Sequence, residues 1–172
     1  NFNSNLSKDE FIKAVVKAKK YINDGEIFQV VLSQKFFTNK FPKPFNIYRR
    51  LRSINPSPYM YYMNFGSFKI IGSSPEPLLK INGKKIQTYP IAGTRKRGRN
   101  FEEDKILMSE LLNDKKEKAE HNMLVDLARN DLGKVCKYGS VKVKKYMYIE
   151  KYSNVIHLVS RVEGTLCKDK TI

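Results

Sequence analysis

The chain has 172 residues, carries 33 Lys and Arg against 17 Asp and Glu for a formal charge of +16, and is 41% hydrophobic, enough for a sizeable core and too much for a disordered composition. It contains no run of about 18 apolar residues that would read as a membrane span, no charged-then-apolar leader in its opening Asn-Phe-Asn-Ser-Asn, and two cysteines, Cys136 and Cys167, without CxxC spacing, so a cytoplasmic protein with reduced thiols is expected. The positive charge is scattered and mostly lysine, its one compact cluster at Arg95–Arg99 lacks interleaved aromatics, and no zinc-finger, helix-turn-helix or RNP pattern occurs, which argues against nucleic acid and for a solvated surface able to steer a small anion.

In chain order, Ser7-Lys-Asp-Glu10 is a capping box that opens a helix. Phe11, Ala14, Val15, Ala18 and Ile22 recur at helical steps, and Gly25 stops it after Asn23. Ile27 to Phe37 is rich in β-branched and aromatic residues and reads as one long strand. Pro42 and Pro44 precede a short helix ending near Ile54, and the two prolines of Asn55-Pro-Ser-Pro-Tyr59 force an extended or turned path. Met60–Phe65 and Phe68–Ile71 then form a hairpin around Gly66-Ser67, and Leu78–Ile81 and Lys85–Tyr89 form another around Asn82-Gly83. A Gly-Thr-Arg-Lys-Arg-Gly loop (Gly93 to Gly98) leads to a helix from Glu102 to Leu112, and Val141–Glu150 and Val155–Gly164 read as the last strands. Hairpins with helices set against them make the chain α+β, with no repeat, linker or low-complexity break.

The segment from Lys115 to Gly133 is the most informative. On a helical wheel Lys118, Asn122, Asp126 and Arg129 share a polar stripe opposite Met123, Leu124, Leu127 and Ala128. Glu117, Glu120 and Asp131 project near the centre of that apolar face, where an unpaired carboxylate is costly. Either basic residues elsewhere neutralise them or a divalent cation does, since carboxylates a turn apart can offer oxygen ligands to Mg²⁺. His121 lacks HExxH spacing and is assigned to supporting the helix.

The run KEKAEHNMLVDLARNDLG (Lys116 to Gly133) resembles the signature helix of the chorismate-utilising enzymes, and within them the anthranilate synthase component I branch. Further blocks agree in order: GEIFQVVLSQKF from Gly25, NPSPYMYYM from Asn55, GSSPEPL from Gly72, TYPIAGTRKRG ending at Gly98, and YSNVIHLVSRVEG from Tyr152. The resemblance implies antiparallel β-sheets packed together with helices outside. It also implies that residues 1–172 are roughly the N-terminal two-thirds of one chorismate-binding catalytic domain, with the C-terminal part absent.

What the resemblance implies for activity is Mg²⁺-dependent amination of chorismate by ammonia, with loss of pyruvate to give anthranilate, the first step of tryptophan biosynthesis. Glu76 matches the family's general acid, which must be protonated to expel the ring hydroxyl; the plain alternative is a turn carboxylate between two prolines. Glu120 matches a magnesium-ligating glutamate, the other such ligand lying in the absent part, and Glu117 and Asp131 could orient water around it or be ion-paired. Gln29 stands where water-using members carry a lysine base; an amide cannot take water's proton, whereas ammonia already has its lone pair. Ala92 stands where aminodeoxychorismate synthases carry a nucleophilic lysine, and Gly93 and Thr94 match substrate contacts. His157 matches a histidine that assists proton removal, although a lone strand histidine is more often structural. Asn55, Pro56, Ser57, Pro58, Tyr59 and Met60 resemble half of a tryptophan feedback site. No glutaminase nucleophile motif is present, so ammonia would come from a separate glutamine amidotransferase subunit. Aminodeoxychorismate and aminodeoxyisochorismate synthases are the alternatives within the family, and a basic nucleic-acid-binding module is the alternative outside it.

Overall fold

A computed structural model describes residues 2–170 and divides the chain into two compact units, Asn1–Pro44 and Phe45–Ile172. In the first, strand β1 (Asn3–Ser4) precedes helix α1 (Lys8–Asn23). The capping box forms as expected: the Ser7 hydroxyl accepts from the Glu10 N–H, and the Glu10 carboxylate accepts from the Ser7 N–H at 2.8 Å. The long strand expected over Ile27–Phe37 does not form. Only β2 (Phe36–Phe37) is a strand, paired antiparallel with β1. Propensity alone cannot make a strand: residues 27–35 are assigned to no strand, and the pairing with β1 begins only at Lys35, whose carbonyl accepts from the Asn5 N–H at 3.0 Å.

The second unit is α+β, and every strand pair in it is antiparallel. Helix α2 (Pro44–Ile54) leads to the hairpin of β3 (Tyr59–Asn64) and β4 (Lys69–Ser74). Next come β5 (Lys80–Asn82) and β6 (Lys85–Thr88), whose register pairs Asn82 with Lys85 and so centres the turn on Gly83-Lys84, one residue beyond the expected pair. Strand β7 (Ile91–Lys96) occupies much of what reads as a loop in the sequence. It forms because the neighbouring strand offers an open edge that satisfies its backbone. Helices α3 (Phe101–Asn113) and α4 (Lys115–Gly133) follow, then β8 (Lys142–Lys151) and β9 (Val155–Thr165). The last strand pairs with β6, β7 and β8 and so carries the five-stranded sheet.

Alternation along β9 sorts its side chains. Ile156, Leu158 and Val162 are 0% exposed, and their face receives the helices. One core cluster joins Ile86, Val125, Leu132, Cys136, Val162 and Leu166; the other joins Leu111, Ile156 and Leu158. Both cysteines are free thiols. None of the described helices is long and apolar enough to cross a membrane.

The face α4 turns inward differs from the expected one. His121, Val125 and Leu132 are buried, whereas Met123 and Leu127 are 39% and 56% exposed. The helix is rotated by roughly a quarter turn from the position its apolar residues suggest. Asp131 is correspondingly not inward: it is exposed and paired with Lys134 at 2.8 Å. The rotation yields a direct test. Leu132→Ala on the inward face of α4 should cost about 2–5 kcal/mol in urea unfolding, while Leu127→Ala on the outward flank should stay within about 0.5 kcal/mol; equal losses would mean that α4 packs on its other face.

Candidate functional site

Ala92, Gly93 and Thr94 on β7 meet His157 on β9, and the first turns of α4, which carry Glu120, pack against the same strands. The ladder pairs Ala92 with Leu158 and Thr94 with His157, so Gly93 is the extra residue of a β-bulge. Its φ of +65° suits glycine. A Cβ at that position would lie 2.8 Å from Leu111 Cδ1 and 3.1 Å from Glu117 Oε2, so glycine is also what lets the strand approach the helices. Beyond the bulge, the Thr94 hydroxyl meets His157 Nδ1 at 3.0 Å. The His157 ring packs edge-on to Tyr152 at 5.5 Å.

Helix α4 is tied to this junction through ions. Its N-cap Asp114 accepts from the Lys116 and Glu117 N–H groups at 3.0 and 3.1 Å. Arg95 from β7 bridges Asp114 at 2.9 Å and Glu117 at 3.3 Å. Of the two explanations for an inward Glu117, the ion pair therefore holds. Glu120, one turn on, is half-buried. It is an oxygen donor of the kind Mg²⁺ takes, but among the described residues no group of three or more His, Cys, Asp or Glu side chains could hold a metal, so Glu120 would be one ligand of several.

Glu76, between β4 and β5, is exposed by area, yet enough protein surrounds its carboxyl for burial to raise its pKa, a rise only partly offset by a hydrogen bond from the Ile91 backbone at the start of β7. Asn55, Pro56 and Ser57 line the same cleft as His157, of about 220 Å³, while Pro58 and Tyr59 line an adjoining one of about 240 Å³ with Glu150 and Tyr152. Met60 lies in β3. Gln29 belongs to the other compact unit, on an exposed segment.

Arg95, Arg97 and Tyr152 have structural roles here that composition did not single out. Arg97 Nε donates to both Asp104 carboxylate oxygens at 2.9 and 3.1 Å, and its Nη1 donates to the Tyr152 carbonyl at 2.9 Å. Asp104 is 2% exposed and also accepts from the Gly98 N–H. The signal for this clamp was the basic cluster itself followed three to four residues later by the acidic start of α3, a pattern set aside as surface charge.

The Arg97 guanidinium, then the Gly98 amide, hold the Asp104 carboxyl below the usual carboxylate range; the Glu117 amide, foremost among its donors, does the same for Asp114. A carboxyl with a lowered folded pKa binds fewer protons folded than unfolded, so the stability it contributes is complete above the ordinary value of about 4 and is lost as pH falls through the folded values. Through these two carboxyls, urea midpoints should therefore fall below about pH 4. Asp104→Asn should lower the midpoint at pH 7 and make the acid fall shallower; an unchanged acid profile in that variant would show that Asp104 is not a source of it.

The sequence matches the family of chorismate binding enzymes over residues 1–172. It is 60% identical over 168 residues to anthranilate synthase component 1 of Acetivibrio thermocellus, covering 98% of this chain and 34% of that protein. It is 58% identical over 166 residues to the protein of the same name from Aquifex aeolicus, covering 96% and 34%. The fold is similar to the solved structure of anthranilate synthase component I from Streptococcus pneumoniae, with a TM-score of 0.90 and 43% identity over 99% of this chain and 37% of that one. The chain thus spans about a third of the length of the curated relatives it matches.

Proposed function

This chain belongs to the family of chorismate binding enzymes, and from that premise we propose that it is part of the catalytic domain of an anthranilate synthase component I, in which chorismate is aminated by ammonia and loses pyruvate to give anthranilate. The observation that carries the reading is the junction at Gly93: a bulged strand sets Thr94 on His157 at 3.0 Å, with Glu76 bonded to the first residue of the same strand. The similarity to proteins of that name supports it.

In this reading the roles divide by proton demand. Addition of the amine at ring carbon 2 expels the hydroxyl at carbon 4, which needs a proton at neutral pH. Glu76, whose burial favours the protonated form, is the donor. Loss of pyruvate requires removal of the ring proton at carbon 2. His157 is oriented for this by Thr94 at Nδ1; in the tautomer whose Nδ1–H donates to the Thr94 hydroxyl oxygen, Nε2 is the nitrogen that takes the proton. Ala92 is 7% exposed and carries no amine, so no covalent attack from that position can divert the ring toward an aminodeoxychorismate product. Gln29 fits the same branch, since it cannot serve as the base that water would need.

Magnesium belongs to the proposal as well. Glu120 would supply one of its oxygen ligands, with the others from sequence outside these residues, and the ion when bound would neutralise a carboxylate of the substrate. A separate glutamine amidotransferase subunit would supply ammonia, the reaction would take place in the cytoplasm, and tryptophan bound near Asn55–Met60 would inhibit it.

The complete polypeptide containing this sequence, given chorismate, Mg²⁺ and ammonium at alkaline pH, should produce the fluorescence of anthranilate. Isochorismate or a 4-aminobenzoate precursor as product would overturn the assignment. Glu76→Gln should lower kcat by about 10²–10⁴-fold with little change in KM. Glu120→Ala should abolish Mg²⁺-dependent turnover while the fold persists, and full turnover at saturating Mg²⁺ would remove it from the ligand set.

A further inference from the structure

The imidazole of His121 on α4 and the hydroxyl of Ser160 on β9 belong to residues that are 0% exposed, and neither has a part in the chemistry above. His121 Nε2 and Ser160 Oγ are 2.6 Å apart. The same hydroxyl oxygen accepts from the Met147 N–H at 2.9 Å, where β8 bulges and Met147 takes a φ of +46°. Three elements therefore meet on one oxygen.

Counting protons gives the bond its direction. Neutral imidazole has one donor and one acceptor nitrogen, and a backbone amide can only donate. Were Nε2–H to donate to Ser160, the serine proton and the Nδ1 lone pair would both be buried without partners, because Nδ1 has none among the described residues. With Ser160 donating to Nε2, only the Nδ1 hydrogen is left over. One unmade buried bond is less unfavourable than two. A doubly protonated ring would bury a positive charge in a residue that is 0% exposed and whose Nδ1 has no hydrogen-bond partner among the described residues, so the packing accommodates the neutral form.

We infer that His121 is a positioning residue, held as the neutral Nδ1–H tautomer that accepts the Ser160 hydroxyl proton at Nε2, and that this bond sets the rotation of α4 and hence the direction of Glu120. Apolar packing through Val125 and Leu132 resists separation of helix and sheet but has little preference for roll. Directional bonds supply that preference. Arg95 holds the first turn through Asp114 and Glu117, and His121 holds the second. Glu120 precedes His121 by about 100° on the helix, so fixing one side chain fixes the bearing of the other. The consequence for the metal rests on the reading of Glu120 as a ligand; the tautomer does not.

Nitrogen-15 spectra of histidine in this chain at neutral pH test the first part without any assay of function. The His121 ring should show a protonated Nδ1 and an unprotonated Nε2, and Ser160→Ala should shift the Nε2 resonance. A protonated Nε2 would overturn the assignment, even if no variant folded. In the complete polypeptide, Ser160→Ala and His121→Leu should weaken Mg²⁺ binding by about tenfold or more in calorimetry. His121→Gln, which can place an amide oxygen near the position of Nε2, should recover most of that loss. Unchanged Mg²⁺ affinity in folded Ser160→Ala and His121→Leu variants would overturn the positioning role. Absence of anthranilate from the wild-type polypeptide would instead count against the proposed function and leave the spectra to decide the tautomer.

Discussion

The antiparallel ladder on β9 is the constraint from which the second compact unit follows. The strand is paired on both sides, with β6 and β7 sharing one edge and β8 on the other, so its backbone groups find ladder partners over most of its length and its register is pinned repeatedly. Because side chains alternate, a slip of one residue would turn Leu158 and Ser160 away from the helices and present His157 and Glu163 to them. Burying those polar groups against apolar partners would be costly, and that cost protects the register. The placement of His157 against Thr94 is thus a consequence of core packing one residue away.

The polar face of the same strand is satisfied by neighbours. Glu163 is 5% exposed and accepts from Gln87 at 2.8 Å and pairs with Lys85 at 3.1 Å. Burial works against its charged form, but the Gln87 and Lys85 contacts outweigh it and the pKa falls. Tyr152 donates to Glu150 at 2.7 Å, and its burial, reinforced by that carboxylate, raises the phenol's pKa. These bonds connect the wall of the His157 cleft to the sheet, so Tyr152 is held on two sides: by Glu150 through its hydroxyl and by Arg97 through its carbonyl.

How far the sequence revealed this depended on whether a signal was local. Capping at Ser7 and Glu10, the hairpins and the two central helices were legible because turn and cap chemistry is contained within a few residues. Ile27–Phe37 was misread because strand propensity says nothing about whether a partner edge exists. Gly93–Lys96 was misread in the opposite sense, its glycine and basic residues suggesting a loop where β9 supplied an edge. For α4 the period was right and the phase wrong: Met123 and Leu127 looked like core, while a histidine, anchored by a serine 39 positions away, was buried instead. Of the candidate site, sequence pattern supplied the names, but the bulge, the Arg95 bridge and the Ser160 contact are long-range and had no local trace.

The carboxyl groups separate by the company they keep. Asp104, Asp114 and Glu163 are each held by a guanidinium, an ammonium or backbone amides, and their pKa values fall. Such groups remain anionic and serve structure. At Glu76 desolvation is the leading influence, a single backbone amide opposes it, and the shift is upward. In a chain of charge +16, where cations are abundant, that upward shift sets Glu76 apart from these three. A proton donor must be surrounded by groups that do not stabilise its anion, and the prolines on either side of Glu76, Pro75 and Pro77, provide no backbone N–H groups that could do so. The same two prolines that make the segment look like an exposed turn therefore also favour the protonated form that the proposed role of Glu76 as proton donor requires.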